Sequence, residues 1–250
     1  MNPQTRQASQ PQPPADSAPR FDIYGAIHRA WRLFMVETLG QVGRLDVDDA
    51  DAMAATLDQV ELLCLQLRRH VAHENEFLHP ALEAAAAGSA RPIADEHVSH
   101  LDTLASLEDQ VQALRQVAPA QRSALARRLY RLLALFVAEN FEHMEQEERV
   151  HNPLLWAHYS DAQLLALDGR IIASLDPQEM ALSLQWITRA LPPQDLAALL
   201  AGARPGMPAE AFDGLLGLVR QTLDAQPGPR LARTLACLQA LESAQSAAVG

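Results

Sequence analysis

Seven ionisable side chains lie where the hydrophobic pattern calls for a wholly apolar stripe: His28; His70 and Glu74; His97 and His100; His143 and Glu147. Each shares its stripe with apolar residues at steps of three and four, the spacing of one helix face. A carboxylate turned into a helical core costs several kcal/mol unless its charge is compensated. No basic residue falls on the same stripe segments, so a bound cation is the simplest compensating charge. Five imidazoles and two carboxylates exceed what one tetrahedral zinc needs, and no thiolate accompanies them; a pair of divalent first-row ions fits better. Each ion would take three or four ligands, with the two glutamates bridging and one position left for a small exogenous molecule. Ferritin-like sites differ, using Glu-x-x-His and about four carboxylates. Here nitrogen dominates, and neutral imidazoles leave the pair more positive. That favours the reduced di-ferrous state and reversible binding of a small ligand over harsh oxidation.

Four long amphipathic patterns must position these groups, at about residues 22–42, 49–79, 92–117 and 119–151. The links between them, at 43–48, 88–92 and 118–119, are short, which predicts antiparallel neighbours in an all-α, up-down-up-down four-helix bundle. His28 and the His97/His100 pair lie near the starts of the odd helices. His70/Glu74 and His143/Glu147 lie near the ends of the even ones. In such a bundle these places occupy one end, so all seven side chains converge at one depth. The even helices also repeat each other: both carry His-x3-Glu, and in both a proline follows the glutamate by six residues (Pro80, Pro153). Residues four apart sit one turn apart, about 6 Å on the helix surface, so His and Glu can reach the same centre.

The rest of the chain bounds the setting. Of 250 residues 48% are hydrophobic but only 5% aromatic, a helix-favouring mix rich in Ala and Leu. The net charge of −11 disfavours nucleic acid and anionic membrane surfaces as partners. Cys64 and Cys237 fit neither a disulfide framework nor a thiolate zinc site, which indicates a reducing, cytoplasmic setting. Residues 1–20 are rich in Pro, Gln and Ser and read as a disordered tail without a signal-peptide apolar region. No uninterrupted apolar stretch reaches membrane-spanning length. Residues 21–158 form the bundle. Residues 159–250 read as a C-terminal appendage of shorter helices, punctuated by prolines and lacking histidine.

The segments IHRAWRLFM (27–35), HVAHENEFLHPALE (70–83), EHVSHLDTL (96–104) and ENFEHMEQEERVHNPLLW (139–156) resemble the hemerythrin/HHE cation-binding family over roughly residues 21–158. The resemblance implies a non-haem di-iron site, with two iron ions ahead of manganese or zinc. Its ligands would be His28, His70, Glu74, His97 and/or His100, His143 and Glu147. It also implies partners among dioxygen, nitric oxide and iron itself, with roles as carrier, sensor, store or helper in iron-centre repair. A di-iron oxidase, peroxidase or nitric oxide-handling enzyme is the alternative, and a homo-oligomer is compatible with either. Two features depart from the oxygen-carrying members: the third-helix histidines are three apart rather than four, and the fourth-helix acid is Glu four residues after its His. Both point toward the bacterial HHE-type proteins. Around the seven, His73 is a substitute for His70, and His151 an eighth ligand or a partner to one. His79 and His158 are expected at the rim or surface. Tyr24 and Phe77 are core residues that can wall the pocket, and Glu145 or Glu148 can orient an imidazole.

Overall fold

The computed structural model describes residues 20–225 and 228–249 and is helical throughout the described residues; residues 1–19 of the expected tail lie outside them. The bundle consists of α1 (Gly25–Gly43), α2 (Ala50–His73), α4 (Arg91–Gln116) and α5 (Pro119–Gln146). Contacts run α1–α2, α2–α4, α4–α5 and α5–α1, which closes the ring in up-down-up-down order. Two short helices, α3 (His79–Ala85) and α6 (Asn152–His158), extend α2 and α5 and pack against each other at one end. The sequence continues through α7 (Asp161–Ser174), α8 (Pro177–Ala190), α9 (Pro193–Ala203), α10 (Ala209–Asp224) and α11 (Arg230–Val249).

The even helices do not run on uniformly to the prolines, as the periodicity alone predicts. Each passes through a single π-helical segment, Glu74–Leu78 in one and Glu147–His151 in the other. The glutamate opens each segment, and its carbonyl accepts a hydrogen bond from the amide five residues on, His79 or Asn152. In an unbroken α-helix, Pro80 and Pro153 would clash with the carbonyl four residues back. The wider turn removes that clash and restarts the helix with each proline in its first turn, where an N–H is not needed. The recurring Glu-x5-Pro spacing is therefore the mark of a π turn that begins at a site glutamate.

At the same end, Asp22 caps α1: its Oδ1 accepts from Tyr24 N at 3.1 Å, Gly25 N at 2.9 Å and Asn152 Nδ2 at 2.7 Å. A Cβ on residue 25 would collide with that carboxylate, so the cap requires glycine there. Arg20 ties the start of the described chain to Asp161 and to the carbonyls of Trp156 and Tyr159.

Three apolar clusters build the interior. The largest fills the bundle with residues such as Phe34, Leu57, Leu63, Leu104, Leu107, Leu129 and Phe136, and it takes in Trp186 from α8. A second joins α8 to α11 within the C-terminal region. A third closes the end of the bundle with Tyr24, Leu78, Leu82, Leu155 and, from α7, Leu164 and Leu167. Trp186 stacks on Phe34 at 4.1 Å between centroids, with the Arg189 guanidinium over its other face. Among the described residues, no helix is long and apolar enough to cross a membrane. Trp186→Ala is expected to cost about 3–5 kcal/mol, read by chemical denaturation. A loss under about 1 kcal/mol would show that the C-terminal helices do not share the bundle core.

Candidate metal centre

Helix geometry brings six of the seven side chains together in two overlapping sets: His28, His70 and Glu74 in one, and Glu74, His97, His143 and Glu147 in the other. Within each set the candidate ligand atoms all lie within 4.8 Å of one another. Glu74 belongs to both. Its Oε1 is 3.5 Å from His28 Nε2 and 3.3 Å from His70 Nε2, while its Oε2 is 3.4 Å from His97 Nε2. Glu147 Oε2 spans the same gap, 3.5 Å from both His28 Nε2 and His143 Nε2. Glu74 thus faces imidazoles through both of its oxygens, and Glu147 faces two through Oε2.

The burial of this cluster makes the missing hydrogen bonds costly. His28, Glu74, His97 and Glu147 are all no more than 3% exposed. Both carboxylate oxygens of Glu74 and of Glu147, with His28 Nε2 and His70 Nε2, have no hydrogen-bond partner. Unsatisfied buried polar atoms cost about 1–3 kcal/mol each, and more when charged. Cations placed among them would satisfy the whole set at once. The donor chemistry, imidazole nitrogen and carboxylate oxygen, suits iron, manganese or zinc.

The other ring nitrogens are held in place. His28 Nδ1 is 2.9 Å from Glu148 Oε1, His97 Nδ1 is 2.8 Å from Asn75 Oδ1, and His143 Nδ1 is 2.8 Å from Glu96 Oε2. Arg32 supports Glu148 at 2.6 Å. An acceptor at Nδ1 fixes the tautomer that presents a bare Nε2 lone pair to the centre. Of the two glutamates the sequence offers for this role, Glu148 meets His28, while Glu145 pairs with Arg149 on the surface. Asn75 and Glu96 escape sequence reading because each serves a histidine on another helix. Their one signal is adjacency, Asn75 following Glu74 and Glu96 preceding His97.

The remaining histidines depart from expectation in part. His100 falls outside both sets: its ring lies edge-on to His143 at 4.7 Å and to Phe136 at 5.8 Å. At about 100° per residue, a step of three leaves it roughly 60° off the line of His97, aimed at the bundle core. His79 is buried, rather than at the rim, and stacks on His97 at 5.0 Å. His151 meets the Tyr24 hydroxyl at 3.3 Å and belongs to neither set. His73 turns toward Glu179 of α8, and His158 is exposed.

Two carboxyls in one desolvated pocket cannot both stay ionised without a cation. Burial pushes Glu74 up, but His70, His28 and His97 outweigh it and hold Glu74 well below the ordinary carboxylate range. Glu147 goes the other way, raised well above that range by burial and by the Glu74 charge. Burial lowers His70 to about 4 and His143 to about 2, so both are neutral at pH 7. Burial also works against a charged His28, yet Glu148 and Glu74 raise it overall.

No curated protein matches the sequence. A comparison with protein families matches residues 28–155 to the hemerythrin HHE cation-binding domain, a span that starts at His28 and takes in every member of both sets. With that match covering a little over half its length, the chain belongs to the hemerythrin HHE cation-binding family.

Proposed function

We propose that the bundle at residues 21–158 holds two iron ions, one among His28, His70 and Glu74 and the other among His97, His143, Glu147 and Glu74, and that the centre binds or senses a small diatomic molecule, dioxygen or nitric oxide. The carrying observation is the pair of orphaned, buried carboxylates: Glu74 faces His28 and His70 through Oε1 and His97 through Oε2, and Glu147 faces His28 and His143 through Oε2. A bound ferrous pair supplies reversible electron transfer and an open coordination position. The chain supplies the rest. Glu148, Asn75 and Glu96 aim three imidazoles, and Glu74 and Glu147 span the two positions. The apolar end cluster of Tyr24, Leu78, Leu82, Leu155 and Leu164 keeps bulk water and larger molecules out. His100, at the core side of the centre, packs beside His143.

Protein purified without oxygen is expected to carry two irons per chain and to gain charge-transfer absorption on exposure to air. One zinc per chain and a silent spectrum would remove the proposal. Failure to turn over peroxide or nitric oxide in that same preparation would favour a binding or sensing role over an enzyme. Replacing both bridging groups, Glu74→Ala with Glu147→Ala, is expected to abolish paired binding; two ions per chain in that variant would refute the bridging roles.

Glu147 and His28 are both raised toward their protonated forms, so metal and protons compete for the same groups. His70 and His143, both lowered, have none to give at pH 7. Loading is therefore expected to release protons, and affinity should weaken as the pH falls. Calorimetry in buffers of different ionisation enthalpy measures the release. Proton-neutral binding would contradict this electrostatic account.

A further inference from the structure

Three polar ties between the C-terminal helices and the bundle fall beside one half of the centre. Arg29, next to His28, pairs with Asp195 of α9 at 2.8 Å. Arg69, next to His70, reaches Asp176 at 3.0 Å and Glu179 at 3.4 Å. His73, next to Glu74, faces Glu179 Oε1 across 3.7 Å. Each member of the His28, His70, Glu74 set thus has a chain neighbour held by the C-terminal region. In the other half, Glu96 beside His97 and Glu148 beside Glu147 turn back into the centre, onto His143 and His28. An aromatic line runs the same way: the His70 ring lies 6.3 Å from Trp31, Trp31 lies 6.4 Å from Phe34, and Phe34 stacks on Trp186 of α8.

These ties are unequal. Arg29 and Asp195 are about half exposed, so their pair adds little. Glu179 is buried at 7% exposure and meets both Arg69 and His73, which bracket the turn of α2 that carries His70 and leads into the π turn at Glu74.

We propose that α8, through Glu179, positions the His28, His70 and Glu74 half of the centre, so that docking of the C-terminal helices and occupancy of that half are coupled. The inference rests on the reading of the centre as a pair of ions. Glu179 touches no candidate ligand; it acts on residues 69 and 73 and through them on the turn of α2 that aims His70, the ligand that belongs to this half alone. Coupling of this kind is reciprocal: what the docked helices add to ion affinity, the bound ion adds to docking. It gives residues 159–250 the role of registering whether that half is filled.

The test is an anaerobic titration with ferrous ion, followed by calorimetry, in backgrounds that leave one half of the centre each. In His143→Ala, only the His28, His70, Glu74 half is complete, and adding E179Q is expected to weaken the remaining ion about 10-fold. In His70→Ala the remaining ion lies in the other half, and E179Q is expected to change its affinity by less than about twofold. Glu37→Gln breaks a different tie to α8, the pair with Arg189, away from the candidate ligands, and is expected to leave both ions in place. Circular dichroism checks that each variant stays folded. An unchanged affinity in His143→Ala with E179Q overturns the inference, as does an equal loss in both backgrounds or with Glu37→Gln, which would make Glu179 a docking residue only. A wild-type chain that takes up no pair of ferrous ions overturns the underlying reading instead, and that result is visible before any variant is made.

Discussion

Two carboxyl groups share one desolvated pocket, and everything around them answers to that. Without a cation only one can be ionised. The imidazoles facing Glu74 hold it toward its charged form, while burial and the Glu74 charge push Glu147 toward its neutral one. Inserting positive charge between them reverses the balance and turns the most costly feature of the bundle into its best-satisfied one. A pocket of this kind is held ready by packing, since a half-satisfied polar cluster opposes folding. The apolar cluster of the bundle on one side and the smaller end cluster on the other supply that packing.

Local backbone structure serves the same end. A π turn opens at each of the two glutamates, and the proline six residues on makes that turn obligatory, because an unbroken α-helix would drive the ring into the preceding turn. Breaking the ladder at the carboxylate lets the backbone there depart from ideal helical phase, as π turns at functional sites do. The chain thereby repeats one device on two helices, His-x3-Glu followed by a π turn and a proline. The repeat gives the centre an approximate two-fold character in its even helices. The odd helices break it, since α1 places one histidine, His28, in the candidate sets and α4 one, His97, with His100 beside His143.

Much of this was legible in the sequence, for a definite reason. Ionisable residues on an apolar stripe have a period, a depth along the helix and a partner of opposite sense across the bundle, and short links fix that sense. His28, His70, Glu74, His97, His143 and Glu147 all carry those signals. His100 carries them too and still falls outside both sets, because a step of three keeps a residue on the stripe while swinging it away from the centre. Asn75 and Glu96 carry none, since they look like solvated-face residues on their own helices and act on histidines of others. The seating of Trp186 on Phe34 is likewise invisible in one dimension: neither side chain differs from any other core aromatic until α8 folds back onto α1.

The position of the centre at the end of the bundle, and not at its middle, follows from what closes it. A site at mid-bundle would be walled on all sides by side chains of the same four helices, with no element free to vary. Here α3, α6 and α7 form the lid, and Leu78, Leu82, Leu155, Leu164 and Leu167 make it apolar. An apolar lid strengthens every electrostatic interaction beneath it by excluding water. Beneath this lid the Tyr24 hydroxyl meets His151 at 3.3 Å, and the Tyr24 ring lies 5.1 Å from that of His28. The layers thus run from apolar outside, through one phenol and one imidazole, to the carboxylates and the candidate ligand nitrogens innermost.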